Sequence, residues 1–155
     1  RIVEFGHFAA ERRARRGEGK PETFAFLGFT HVCSKNRKGR FNLKRVTNRK
    51  RMNRKLHDLG AELKARRHDP TPEQGRWLSS VIQGHYNYYA VPGNIEALRA
   101  FRRAVAWLWL KALKRRGQRT RLTRERHQRL CNKWLPQPTI LHPYPDKRFD
   151  AKHRQ

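Results

Sequence analysis

Lys35, Arg37, Lys38 and Arg40 crowd into one short stretch, Arg49, Lys50 and Arg51 follow in a row, and Lys114, Arg115 and Arg116 make a third run. The chemistry open to such groups is the gripping of phosphates. Guanidinium forks bind them bidentately, and ammonium groups bind them as point charges. Acids that could neutralise the runs are missing. None occurs between Glu22 and Asp58, and Glu96 stands alone between Glu73 and Glu125. The formal net charge is +26 over 155 residues, from 38 Lys+Arg against 12 Asp+Glu. Self-repulsion of that size opposes compaction unless a polyanion offsets it. A solvated basic face does not account for so large an excess. The partner implied is nucleic acid, held chiefly through its phosphates.

The candidate binding residues divide by site. Lys35, Arg37, Lys38 and Arg40 sit at the tip of a predicted hairpin, with Lys44 and Arg45 on its return strand. Arg49, Lys50, Arg51, Arg54 and Lys55 begin a helix, where amides and side chains can act together on an anion. Arg99, Arg102, Arg103, Lys111, Lys114, Arg115 and Arg116 line a later helix, and Arg119, Arg121 and Arg124 follow it. Trp107 lies ~180° from the apolar stripe of that helix, among Arg103, Lys111 and Lys114. It can stack on an exposed base or ribose. The ordinary alternative is that a proline-rich tail or a fourth helix covers it. Of Tyr86, Tyr88 and Tyr89, Tyr86 is the one expected to face outward.

Other chemistry is poorly supported. Polymerisation needs carboxylates that hold two metal ions. The closely spaced tail carboxylates, Asp146 and Asp150, lie in a proline-rich basic segment, where pairing with Lys147 and Arg148 is the simpler role. His127 and Cys131 lie four apart on a predicted helix, but a structural zinc site needs four ligands and no second pair is present. A buried Cys131 and a phosphate-facing His127 are expected instead. Cys33, in an apolar strand beside His31, is expected to be a buried small residue rather than a nucleophile. No catalytic residue and no metal ligand are assigned.

A chain of this length allows one ordinary domain, or a small one with appendages. Apolar residues make up 36%, low for a globular protein, yet four Trp, four Tyr and eight Phe can build a core. Two cysteines make no disulfide framework and fit a reducing, cytoplasmic setting. The apolar stretch Ala104 to Leu110 is far shorter than the ~20 residues of a membrane span, so no membrane role is expected. The first residue is Arg1, no signal peptide is visible, and the chain is expected to begin mid-protein.

The elements that must position these groups are mainly α with a small β-hairpin. Phe24, Phe26, Leu27, Phe29, Thr30 and Val32 predict a strand, with Gly28 marking a bulge or a close backbone approach. Asn36-Arg37-Lys38-Gly39 is a turn, and Arg40 to Val46 alternates as a return strand. Thr47 is placed as N-cap of a helix to about Arg67, with Met52, Leu56, Leu59 and Leu63 as its stripe. Thr71-Pro72-Glu73-Gln74 starts a second helix, to about Tyr89. Asn94 caps a third, with Leu98, Phe101, Val105, Leu108 and Ala112 inward and Gly117 as C-cap. These predict an antiparallel three-helix bundle. A short helix capped by Thr123 follows, then a Pro-rich tail expected to lie against a neighbouring surface.

Taken in order, four segments resemble group II intron reverse transcriptase/maturases, most closely the compact bacterial type. They are Phe24-Ala25-Phe26-Leu27-Gly28-Phe29-Thr30-His31 with the basic hairpin; Gly84-His85-Tyr86-Asn87-Tyr88-Tyr89-Ala90-Val91-Pro92-Gly93-Asn94; Arg121-Leu122-Thr123-Arg124-Glu125-Arg126; and Leu141-His142-Pro143-Tyr144-Pro145 with Arg148-Phe149. The resemblance implies that residues 1–46 are the end of the polymerase palm with its exit hairpin. It makes 47–116 the thumb, or maturase domain X, and 117–155 a basic segment where family members carry a DNA-binding region. It implies a partner, group II intron RNA or an RNA–DNA duplex, and a role in splicing and RNA-templated DNA synthesis beside an upstream fingers–palm region. The palm's Tyr-Ala-Asp-Asp motif is absent, so the implied polymerase activity and its Mg2+ belong to the missing palm. Arg124 and His127 stand where the family pattern has aromatic residues. A ribosomal-type or architectural basic RNA-binding protein with no intron role is the alternative.

Overall fold

The computed structural model describes residues 2–116 and 122–144. They form helix α1 (Ala9–Arg15), strands β1 (Phe24–Phe26), β2 (Phe29–Lys35) and β3 (Phe41–Thr47), then helices α2 (Arg49–Ala65), α3 (Thr71–Tyr89), α4 (Ile95–Lys114) and α5 (Arg124–Trp134). The described part is therefore mainly helical, with one three-stranded antiparallel sheet in the order β1-β2-β3.

The expected two-stranded hairpin is corrected here, and so is the single strand from Phe24 to Val32. Phe26 pairs with Phe29, so the chain reverses through Leu27 and Gly28 alone. Both have positive φ, 47° and 82°, which is what a two-residue hairpin turn requires. Glycine is needed at position 28 for a second reason: an added Cβ would lie 2.6 Å from the Tyr89 hydroxyl oxygen. The close backbone approach is real, and the bulge is not. The second reversal, from Lys35 to Phe41, is braced by Asn36, whose Oδ1 accepts from the Lys38 and Arg40 amides at 2.9 and 3.0 Å. The N-terminal segment leads into α1. It meets the sheet through rings, Phe5 on Phe24 at 4.8 Å and His7 on Phe41 at 5.4 Å.

Apolar stripes fold the helices onto one another. Leu59 and Leu63 of α2, Leu78, Ile82 and Tyr86 of α3, and Leu98, Phe101, Val105, Trp109, Ala112 and Leu113 of α4 share one buried cluster. Cys131 of α5 and Leu135 just after it join the same cluster, so the core continues past residue 116. Helices α3 and α5 approach closely at Gly75, where a Cβ would stand 2.5 Å from the Trp134 ring. Beyond α5 the chain runs without regular structure. It lies on α3, with the Leu141 and His142 amides donating to the Ala90 carbonyl at 3.0 and 3.1 Å.

Two polar residues expected in other roles hold the two ends together. Asn94 is 1% exposed and stands at the N-cap position of α4, but its side chain makes no capping hydrogen bond. Its Oδ1 accepts from the Thr47 amide at 2.9 Å, and its Nδ2 donates to Thr47 Oγ1 and the Tyr89 carbonyl, both at 2.8 Å. The starts of α2 and α4 and the end of α3 are thereby fixed at one point. Thr47 is consumed by that contact, so Asn48 caps α2 in its place, accepting from the Arg51 amide. At the opposite end, Arg116 donates from Nε to the Arg67 carbonyl at 2.7 Å, from Nη1 to Thr71 Oγ1 at 2.8 Å, and from Nη2 to the Asp69 carbonyl. Thr71 therefore serves Arg116 rather than capping α3. Helix α4 ends at Lys114 with Arg115 at its C-cap. The expected cap Gly117 lies outside the described residues, and Thr123 caps α5 as expected.

Asn94→Ala is expected to cost about 2 kcal/mol, because it leaves the buried Thr47 amide without its acceptor and takes a donor from the Thr47 hydroxyl and from the Tyr89 carbonyl, which keeps the Val91 amide. Urea denaturation of the variant checks this; an unchanged midpoint would mean that the clamp contributes nothing to stability.

Candidate nucleic-acid interface

The cations separate into those that face water and those held inside. Lys35, Arg37, Lys38, Arg40 and Lys44 are exposed along the β2–β3 reversal and its return strand. Arg49, Lys50, Arg51, Arg54 and Lys55 are exposed on the first turns of α2. That helix has no acid in its first turn. Cations therefore crowd the positive end of the helix dipole, an arrangement that repels itself and favours an incoming anion. Arg45 is half-buried beside Tyr88.

Along α4 the helical phase does the sorting. At ~100° per residue, Arg99, Arg103, Trp107, Lys111 and Lys114 fall on the outward arc. All five are exposed, as are Arg115 and Arg124. Arg102 and Arg116 fall with Leu98, Val105 and Trp109 on the inner arc, where both are half-buried and find intramolecular partners. Arg102 directs Nε and Nη2 onto the Leu135, Pro136 and Cys131 carbonyls at 3.1–3.3 Å, where it satisfies the C-terminal end of α5. Arg116 is the clamp described above. Arg119 and Arg121 lie outside the described residues, as do Asp146 and Asp150. Within the set, Arg99 pairs with Glu96 at 2.5 Å. For its other described members, no carboxylate of a described residue lies within 4.0 Å.

Aromatic surface adjoins these cations. Trp107 is 55% exposed, uncovered by α5 or by the described part of the tail, and Lys111 Nζ stands 3.8 Å from its ring centre. Tyr88 is 50% exposed and donates its hydroxyl to the Leu27 carbonyl at 2.7 Å. It forms the ridge between two grooves. One, about 710 Å³, has Arg51, Arg54 and Lys55 on the α2 wall and Tyr88 and Tyr89 on the α3 wall. The other, about 650 Å³, carries Phe26, Leu27, His31 and Arg45. Tyr86, expected to face outward, is instead 2% exposed. Its hydroxyl donates to the Pro136 carbonyl at 3.1 Å, and burial pushes its pKa up to about 12. The signal was present: Tyr86 is one turn beyond Ile82 on the Leu78 stripe. Sequence reasoning also missed the Tyr88 ridge and the exposed Phe26–Leu27 edge.

The histidines and cysteines do structural work. His85 is 9% exposed and stacks on Phe101 at 3.8 Å. Burial, and secondarily the charge of Lys55, push its pKa down to about 4, so it is neutral near pH 7. His127 does not face a phosphate. Its Nε2 lies 3.0 Å from the Ala106 carbonyl, which requires a proton on that nitrogen. Burial lowers its pKa, and it raises that of Cys131, which is 3% exposed and so remains a thiol. Cys33 is half-buried rather than buried, 3.5 Å from the Gly6 amide. Among the described residues no group of three or more His, Cys, Asp or Glu could hold a metal ion. The polymerase Mg2+ implied by the resemblance thus finds no fitting donor set among them. No helix among the described residues is long and apolar enough to cross a membrane. Comparison with protein families, curated proteins and solved structures gives no match to this chain.

The His85 shift fixes the sign of a pH dependence. The unfolded imidazole takes a proton near 6.5 and the folded one resists until about 4, so its contribution is whole above 6.5 and declines as pH falls toward 4. His127 acts in the same direction. His85→Phe, which keeps a ring on Phe101, is expected to lose part of the drop in urea midpoint between about pH 7.5 and about pH 5. An identical drop in the variant would remove His85 from that account.

Proposed function

We propose that this chain is the RNA-gripping C-terminal part of a group II intron reverse transcriptase/maturase. On this reading α2, α3 and α4 are the three-helix thumb, and the sheet with its basic reversal is the end of the palm. Residues beyond α4 are the basic segment with a DNA-binding role, and the fingers and palm proper lie upstream. The fragment clamps intron RNA or a template–primer duplex by shape and charge, in a bacterial cytoplasm. It assists splicing and RNA-templated DNA synthesis and carries no catalytic centre of its own.

One observation carries the binding part of the reading. Cations on three separate elements face water, all but Arg99 without a carboxylate partner among the described residues, and aromatic surface at Tyr88 and Trp107 lies among them. Phosphate contacts from such a surface position a nucleic acid without reading its sequence. Shape and stacking on unpaired bases then provide preference for folded RNA. The intron part rests on the ordered motifs. The segment Gly84 to Asn94 supports it in one further way, since it holds both the buried Asn94 clamp and the exposed Tyr88 ridge.

The test is a titration of the chain against a group II intron RNA and an unrelated folded RNA at several salt concentrations. Log K is expected to fall with log salt, by about 0.7–0.9 for each phosphate neutralised. Arg51→Gln with Arg54→Gln is expected to flatten that slope by roughly one to two and to leave the melting temperature unchanged. Arg102→Gln is expected to do the opposite, lowering the melting temperature through the lost α5 contacts. Equal affinity for both RNAs would favour a ribosomal-type or architectural basic protein. A salt-independent K would overturn RNA binding by charge altogether.

A further inference from the structure

The last turns of α2 and α4 stand side by side because Asn94 aligns their starts and Arg116 ties α4 to the Arg67 and Asp69 carbonyls. At Gly60 the two helices pass in ordinary contact, an added Cβ meeting Leu108 at 3.5 Å. Between them is a notch of about 150 Å³ floored by Leu63, Leu108 and Ala112. Its rim is Lys64, Arg67, Lys111 and Arg115, four cations and no acid. The acids nearest in sequence, Glu62 and Asp69, are turned to Arg66, at 3.7 and 3.8 Å.

Helix C-termini attract cations through their carbonyl dipoles, so some positive charge belongs here without any ligand. That does not explain Arg67. Its Nε is buried and has no hydrogen-bond partner among the described residues. A buried charged donor without an acceptor is costly, and an anion in the notch that the Arg67 side chain lines would offset its charge. One turn before Lys111 stands Trp107, its exposed ring under the Lys111 ammonium. The ring and the notch therefore share Lys111. A base that takes the ring face releases that ammonium toward the notch.

We propose that the notch and Trp107 together bind one nucleotide of an unpaired strand, with the phosphate among Lys64, Arg67, Lys111 and Arg115 and the base stacked on Trp107. A cavity of this size takes a single phosphate group and excludes a duplex. The site rests on the nucleic-acid reading above and sharpens it, setting a single-strand contact apart from the duplex-gripping surface of α2 and the β2–β3 reversal.

The test uses the full chain, a 5′-phosphorylated uridine trinucleotide and inorganic pyrophosphate, with binding followed by tryptophan fluorescence. Arg67→Gln with Arg115→Gln is expected to weaken the trinucleotide by about tenfold or more, and Arg37→Gln with Lys38→Gln at the reversal by less than about twofold. Trp107→Leu is expected to weaken the trinucleotide and leave pyrophosphate unchanged, that titration being followed by calorimetry. The Arg67 carbonyl that Arg116 holds is retained in Arg67→Gln. Should that pair still melt early, Lys64→Gln reads the same notch from an exposed side chain. Equal weakening by the reversal pair would show diffuse charge and overturn the notch, as would no trinucleotide binding. Equal loss of both ligands in Trp107→Leu would overturn the base platform. The two readings fail separately. Folded RNA bound without the trinucleotide sinks the notch alone, and trinucleotide bound without folded RNA sinks the thumb reading alone.

Discussion

Three helices, their joints and the end of β3 are positioned by two side chains that have no acidic partner among the described residues. Asn94 closes one end of the helical core and Arg116 the other, and each reaches three elements. Both spend their donors on backbone carbonyls and threonine hydroxyls. Hydrogen bonds of this kind fix direction as well as distance. Apolar stripes alone would allow α2, α3 and α4 to slide along one another. The two clamps set the register, and every functional placement in the chain follows from it: the α2–α3 groove, the Tyr88 ridge and the outward arc of α4.

The same economy explains how so basic a chain tolerates an interior. With so few acids, neutralising partners for inward arginines must be found elsewhere. Arg102 and Arg116 use the free carbonyls at the ends of α5 and α2, groups that need donors in any case. The described ion pairs concentrate instead around α1, where Glu4, Glu11 and Glu18 engage Arg12, Arg13, Arg15 and Arg16. The consequence is a division of labour among chemically identical side chains. Two arginines build the scaffold, one cluster staples the N-terminal segment, and most of the other described arginines face water.

Much of the helical layout was legible in the sequence because apolar periodicity reports burial directly. The stripes Leu59/Leu63, Leu78/Ile82 and Leu98/Phe101/Val105 are all buried as their spacing implied. Caps were legible only where nothing competed. Thr123 caps α5, whereas Thr47, Thr71 and Asn94 were drawn into long-range contacts that no local pattern encodes. The Leu27–Gly28 turn was hidden because Leu at positive φ is unusual, and the strand composition ran straight through it. Within the site, helical phase could have separated Arg102 and Arg116 from Arg99 and Arg103, and Tyr86 from Tyr88. Counting cations by segment rather than by face concealed the difference.

Arg102 reaches α5 and the residues just beyond it, and Tyr86 reaches Pro136. The chain is made from its N-terminus, so the first four helices are complete before these partners exist. Until Cys131 to Pro136 emerge, the nascent core carries an arginine fork and a phenol with nothing to hold. The helical unit thus completes only after its C-terminal strap arrives, which couples finished packing to nearly finished translation of the described region.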